Sequence, residues 1–122
     1  MIYYKSRTGN VKSIIDKLSN IKCEELNDNT ITTEQFILFT YTDNLGEVPI
    51  IVERFMKQNY LYCKGVIASG NTNFGNQYFC ASADKLSKKY NIPIICKIEL
   101  RGFSSDIQVI QNAHKSLIEV VN

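Results

Sequence analysis

The sequence predicts a doubly wound α/β domain, a five-stranded parallel sheet with helices on both faces. Three observations carry that expectation. Short apolar runs alternate with helical apolar periodicities from one end of the chain to the other. The middle run, "QFILFT" at residues 35–40, is continuously apolar, as a central strand covered on both faces should be. No repeat, low-complexity tract or linker divides the 122 residues, so residues 1–122 read as a single domain with one sizeable core.

Taken in order, "IYY" at residues 2–4 is the first strand. Val11, Ile14, Ile15 and Leu18 recur at i, i+3, i+4 and i+7, which predicts a helix with one buried face. "IKCEEL" at residues 21–26 is a short second strand, placed at a sheet edge by Lys22 and its two glutamates. After the third strand, Pro49 suits the first position of a second helix that buries Ile51, Val52, Phe55 and Met56. "CKGVIAS" at residues 63–69 is the fourth strand, and Phe79, Ala83, Leu86 and Tyr90 form the stripe of a third helix over 79–90. "PIICKIEL" at 93–100 alternates in a way that predicts an edge strand. Ser105 and Gln108 form an S-x-x-Q capping box for a last helix reaching Val121, with Ile107, Ile110, Leu117 and Ile118 on its apolar stripe.

Composition excludes several function classes. The net charge is +2 with the charges dispersed, which offers no nucleic-acid or membrane-surface patch. No apolar run approaches the ~20 residues that span a bilayer, and no secretory leader is read, so a cytoplasmic protein is expected. The four cysteines, Cys23, Cys63, Cys80 and Cys96, form no C-x-x-C pair and lie in apolar patterns. They read as free thiols packed as small hydrophobes, and no metal site is predicted. The sole histidine, His114, falls on the apolar stripe of the last helix and is assigned no role.

In an open parallel sheet, ligands bind beyond the carboxyl ends of the strands, where the strand order reverses. Three small, polar, glycine-bearing segments arrive there: residues 6–11 ("SRTGNV"), 40–48 ("TYTDNLGEV") and 69–77 ("SGNTNFGNQ"). The first supplies the hydroxyls of Ser6 and Thr8, the amide of Asn10, and Gly9 for close backbone approach, just ahead of a helix N-terminus. That suits a monophosphate; an N-cap formed by Thr8 accounts for the same residues without a ligand. Neither a nucleoside-triphosphate P-loop nor a G-x-G-x-x-G fingerprint is present. Tyr41 on the second segment and Phe74 between the glycines of the third offer aromatic surface for a planar ring. A phosphate at one end and a stacked ring at the other describe flavin mononucleotide (FMN).

"SRTGNV" resembles the phosphate loop of flavodoxins. Together with "TYTDNLGEVP", "ASGNTNFG" and "CKIELRGFSSD", in that order, it resembles the NrdI family of flavodoxin-like proteins that stimulate class Ib ribonucleotide reductase. The resemblance covers essentially the whole chain. It implies a flavodoxin-like sheet of order 2-1-3-4-5 and non-covalent FMN. It also implies that an unidentified reductant reduces the flavin, which reacts with dioxygen. Superoxide or a related species then oxidises the dimanganese centre of the reductase small subunit, which forms its tyrosyl radical. Carried onto this chain, Ser6, Arg7, Thr8, Gly9, Asn10 and Val11 hold the phosphate. Thr40, Tyr41, Thr42, Asn44 and Gly46 line one side of the flavin, and Ser69, Gly70, Asn71, Phe74 and Gly75 line the other.

Two positions depart from the family pattern: Phe74 stands where tryptophan is common, and Arg7 puts a full positive charge beside the phosphate. Asp43 and Glu47 are the only carboxylates in the three loops, so a weakly repelled reduced flavin is expected. The Leu45–Gly46 peptide is the expected backbone switch at flavin N5. The alternatives are a generic electron-transfer flavodoxin and a flavin-free α/β regulatory module. The second needs acidic residues where this chain has Lys5, Ser6 and Thr40 to Thr42.

Overall fold

A computed structural model describes residues 1–42, 46–75 and 77–119, with the backbone alone for Phe74. The elements run β1 (Ile2–Tyr4), α1 (Asn10–Ile15), β2 (Cys23–Glu25), β3 (Phe36–Tyr41), α2 (Ile50–Asn59), β4 (Cys63–Gly70), α3 (Ala81–Tyr90), β5 (Ile94–Glu99) and α4 (Ser104–Leu117). All strand pairings are parallel, as the sequence pattern predicts, and the sheet order is β2-β1-β3-β4-β5, as the family resemblance implies. The order reverses between β1 and β3. The site-bearing turns therefore gather over the ends of β1, β3 and β4.

Alternation along the strands divides the apolar side chains between two layers. Tyr3, Phe36, Leu38, Val66 and Ala68 face α2 and α3, where Val52, Phe55, Met56, Ala83 and Leu86 are buried. Ile2, Tyr4, Ile37, Phe39 and Ile67 face α1 and α4, where Val11, Ile14 and Ile110 are buried. Tyr3, Phe36 and Phe55 form an aromatic triad with ring centroids 5.2–5.3 Å apart. Burying each such ring contributes about 2–3 kcal/mol. The register sets Tyr4 beside Phe39, Tyr41 beside Ser69 and Gly70 beside Glu99, so the strand ends are level with one another.

Helix boundaries differ from the sequence expectation, and local structure accounts for the later starts of α2 and α3 and for the start of α4. α1 ends at Ile15 and the chain turns through Asp16 and Lys17, although Leu18 is still buried. Pro49 occupies the N-cap position of α2, with ψ 139°, rather than its first turn. α3 starts at Ala81 because Cys80 adopts a left-handed conformation at φ 52°. α4 starts at Ser104, and the Ser105–Gln108 box does not form. Instead the Asp106 carboxylate accepts the Phe103 N–H at 2.8 Å, and the Gln108 amide donates to Asn112. The helix ends at Leu117, and Val121 lies outside the described residues.

Candidate functional site

The turn after β1 is built around Gly9, which caps α1 at φ 93°. A Cβ built there meets nothing within 4 Å, so the space beside the glycine is open, and Gly9 itself is not among the described lining residues of the adjoining cavity. The Gly9 carbonyl accepts the Ser13 N–H at 2.9 Å, starting the helix. The Ser6 hydroxyl accepts the Lys12 N–H at 3.2 Å, and among the described residues no capping bond from Thr8 is seen. The N-cap role considered for Thr8 thus passes to Ser6 acting from the strand end. Ser6, Arg7, Thr8, Asn10 and Val11 all line a cavity of about 610 Å³, within the usual ~300–1,000 Å³ of small-molecule sites.

The other walls come from the neighbouring strands. Tyr41 and Thr42 line the cavity from the end of β3, and Ser69, Gly70 and Asn71 from the end of β4. The Thr42 hydroxyl lies 2.8 Å from that of Ser82 and also accepts the Ser82 N–H at 3.4 Å, tying the β3 end to the first turn of α3. Gly70 has no room for a side chain: a Cβ would sit 3.0 Å from both the nitrogen and the sulfur of Cys80. The Asn71 side chain accepts the Asn73 N–H at 2.9 Å, which starts a single 3₁₀ turn at Thr72–Phe74. The Thr72 hydroxyl in turn donates to Glu99 at 2.6 Å.

Several expected residues sit elsewhere. Thr40 is fully buried behind the cavity wall, its hydroxyl donating to the Tyr41 carbonyl at 2.9 Å. Gly46, at φ 96°, packs against Ala81 and Tyr78 and is not among the described lining residues; neither is Gly75. The guanidinium of Arg7 lies over the Tyr41 ring, 5.3 Å from its centroid, and so faces the aromatic wall. Asp43, Asn44, Leu45 and the side chain of Phe74 lie outside the described residues, and with them the Leu45–Gly46 switch. Two lining residues were not anticipated, Tyr78 and Leu100. Tyr78 stands in the same aromatic-rich loop as Phe74 and was legible there. Leu100 directly follows β5, the fourth strand to reach the crevice, whose loop was not counted.

Arg7 is the one charged side chain among the described lining residues, which favours an anionic ligand group. With the Ser6 and Thr8 hydroxyls and the Asn10 amide at one end and Tyr41, Tyr78 and Leu100 on the walls, the donor set fits a ligand carrying a phosphate and a flat, partly apolar ring. Thiol chemistry is disfavoured at Cys80, which lies fully buried beneath Gly70: burial pushes its pKa up to about 12. Burial likewise raises Cys63 to about 12 and Cys96 to about 11. Among the described residues no group of three or more histidine, cysteine or acidic side chains is placed to hold a metal, and no helix is long and apolar enough to cross a membrane.

The fold and crevice define a flavodoxin-like protein. A short-chain flavodoxin associated with a bacterial microcompartment superposes with a TM-score of 0.65 at 22% identity, covering 97% of this chain and 95% of that one. A flavodoxin of Streptococcus pneumonia TIGR4 superposes at 0.66 and 22%, covering 95% and 94%. The family model described as NrdI flavodoxin-like matches residues 2–112, and the chain belongs to that family. Protein NrdI of Bacillus licheniformis is 39% identical over 108 residues, 88% of this chain and 82% of that protein. The SPbeta prophage-derived protein NrdI of Bacillus subtilis is 40% identical over 110 residues, 88% and 84% of the two chains. Protein NrdI of Mycoplasmopsis pulmonis is 35% identical over 123 residues, 92% and 81%.

Proposed function

We propose that this chain binds FMN in the crevice over β1, β3 and β4 and serves as the flavoprotein activator of a class Ib ribonucleotide reductase. The observation that carries the reading is the cavity lined by Ser6, Thr8 and Asn10 on the turn that Gly9 makes ahead of α1, in a chain of the NrdI family. In this reading the hydroxyls of Ser6 and Thr8, the Asn10 amide and the first N–H groups of α1 hold the phosphate. Gly9 and Val11 shape its seat. Tyr41, Thr42 and Tyr78 cover one part of the ring, and Gly70 and Asn71 another.

FMN, when bound and reduced by a separate reductant, supplies the electrons that convert dioxygen to the superoxide-type oxidant needed by the dimanganese centre of the small subunit. The chain's own contribution is binding, orientation and charge. Arg7, held over Tyr41, places a positive charge where a reduced, anionic ring is stabilised, and no described lining residue opposes it with a carboxylate. A generic electron-carrier flavodoxin is the second reading, supported by the likeness to solved flavodoxins.

The direct test of the site is titration of flavin-free protein with FMN and with riboflavin. Stoichiometric FMN binding, at least tenfold tighter than riboflavin (about 1.4 kcal/mol), is expected if the β1–α1 turn holds the phosphate. Equal affinity for the two, or binding of neither, overturns that assignment.

A further inference from the structure

Leu100 combines two costs that folding alone does not explain. Its φ is 52°, in the left-handed region, where a leucine gains nothing from a polar side chain that bonds its own backbone. Glycine or asparagine fits such a position with less strain. The residue also remains 41% exposed on the wall of the candidate cavity, although burial is what usually stabilises a leucine.

The backbone is nevertheless held firmly in this conformation. The Leu100 N–H donates to the Gly70 carbonyl at 2.8 Å, and its carbonyl accepts the Ser69 hydroxyl at 2.7 Å. The Gly102 N–H closes the turn on the Glu99 carbonyl at 2.9 Å, and the Thr72 hydroxyl ties the Glu99 side chain to the β4 loop. Strain maintained by surrounding bonds is characteristic of ligand clamps. Here the clamp fixes an aliphatic side chain at the rim of a polar crevice.

We propose that Leu100 is a ring-positioning residue, its side chain packing on the apolar surface of the flavin ring; this rests on the FMN reading above. The chemistry of the ligand selects the ring. Phosphate and ribityl chain are polar and match the hydroxyls of the β1–α1 turn, so the apolar surface left for a leucine belongs to the isoalloxazine. Ser69 acts through Leu100: its hydroxyl is engaged by the Leu100 carbonyl and holds the turn rather than the cofactor.

The test uses flavin-free full-length protein and the variants Leu100→Asn, Leu100→Gly and Leu100→Ala, measuring thermal midpoint without ligand, affinity for FMN and riboflavin, and the visible spectrum of bound flavin. Leu100→Asn and Leu100→Gly relieve the backbone, so their ligand-free midpoints stay level or rise. All three variants bind FMN and riboflavin more weakly by the same factor, about tenfold, because the lost contact is to the ring the two ligands share. The flavin absorption bands shift as the ring wall becomes wet. Wild-type affinity in all three variants overturns the proposal. So does a fall in affinity accompanied by a lower ligand-free midpoint in every variant, which marks a structural role. Loss of FMN affinity with riboflavin unchanged moves the contact off the ring and overturns it too. If the wild-type protein binds neither flavin, the FMN reading itself fails and this inference falls with it.

Discussion

Gly9 illustrates what a single position contributes. Its φ of 93° is strained for any L side chain, and the space its Cβ would fill is open in the structure. Gly9→Ala therefore has two separable effects. The ligand-free protein loses about 1 kcal/mol from backbone strain, read as a lower midpoint in urea. FMN affinity falls as well, because the proposed phosphate seat depends on the backbone turn that Gly9 makes between Thr8 and Asn10. A Gly9→Ala variant that binds FMN like the wild type contradicts the assignment of the seat. Gly9 was legible in the sequence because a glycine between a strand and a helical periodicity has few other uses. Leu100 was not, because nothing in "ELRG" announces a positive φ at a leucine rather than at the glycine two residues on. Thr40 misled for a related reason. Its position at a strand end was read correctly, but pleating turns its hydroxyl back onto the Tyr41 carbonyl.

At the scale of elements, the strands were the most legible part of the chain, since period-2 alternation and burial on both faces leave strong patterns. Helix starts were less so, because backbone conformation just before the helix decides them. Cys80 in the left-handed region delays α3 by two residues relative to its apolar stripe. In α4 the Ser105–Gln108 pair supplied a capping-box signal, yet Phe103 takes the N-cap position, 78% exposed and with no side-chain acceptor. Replacing it should strengthen the helix. Phe103→Ser is expected to stabilise the protein by about 1 kcal/mol, a rise of roughly 4 °C in thermal midpoint. An unchanged or lower midpoint shows that the exposed ring already contributes as much as a cap.

α4 also carries His114, buried, with Nε2 3.4 Å from the Met1 amino group and Nδ1 3.2 Å from Glu119. Burial holds this imidazole below its ordinary 6.5, the N-terminal ammonium adds to the effect, and Glu119 opposes both. The unfolded chain thus takes up this proton at a higher pH than the folded one. The stabilisation is complete above the ordinary value and is lost as pH falls below it. The wild-type midpoint should accordingly drop more between pH 7.5 and 5.5 than that of His114→Gln. Equal drops contradict the account of the buried neutral ring.

For the molecule as a whole, the sheet order fixes where chemistry happens, and the two faces fix what surrounds it. α1 and α4 cover one face and α2 and α3 the other, so a ligand has the strand ends left to reach. The proposed cofactor makes the rim a place for an external partner and for dioxygen, while burial of Cys80 beneath Gly70 disfavours a thiolate there. The fold alone serves electron carriers as well as activators, so function is decided by what the reduced protein does with oxygen and a partner. The most direct measurement loads the protein with FMN, reduces it anaerobically, and mixes it with dioxygen and a manganese-loaded class Ib small subunit while tyrosyl radical is followed by electron paramagnetic resonance. The account predicts radical that forms with this protein present and not without it. A reduced protein that yields no radical, while passing electrons at a stable low potential, contradicts the activator reading and leaves an electron carrier.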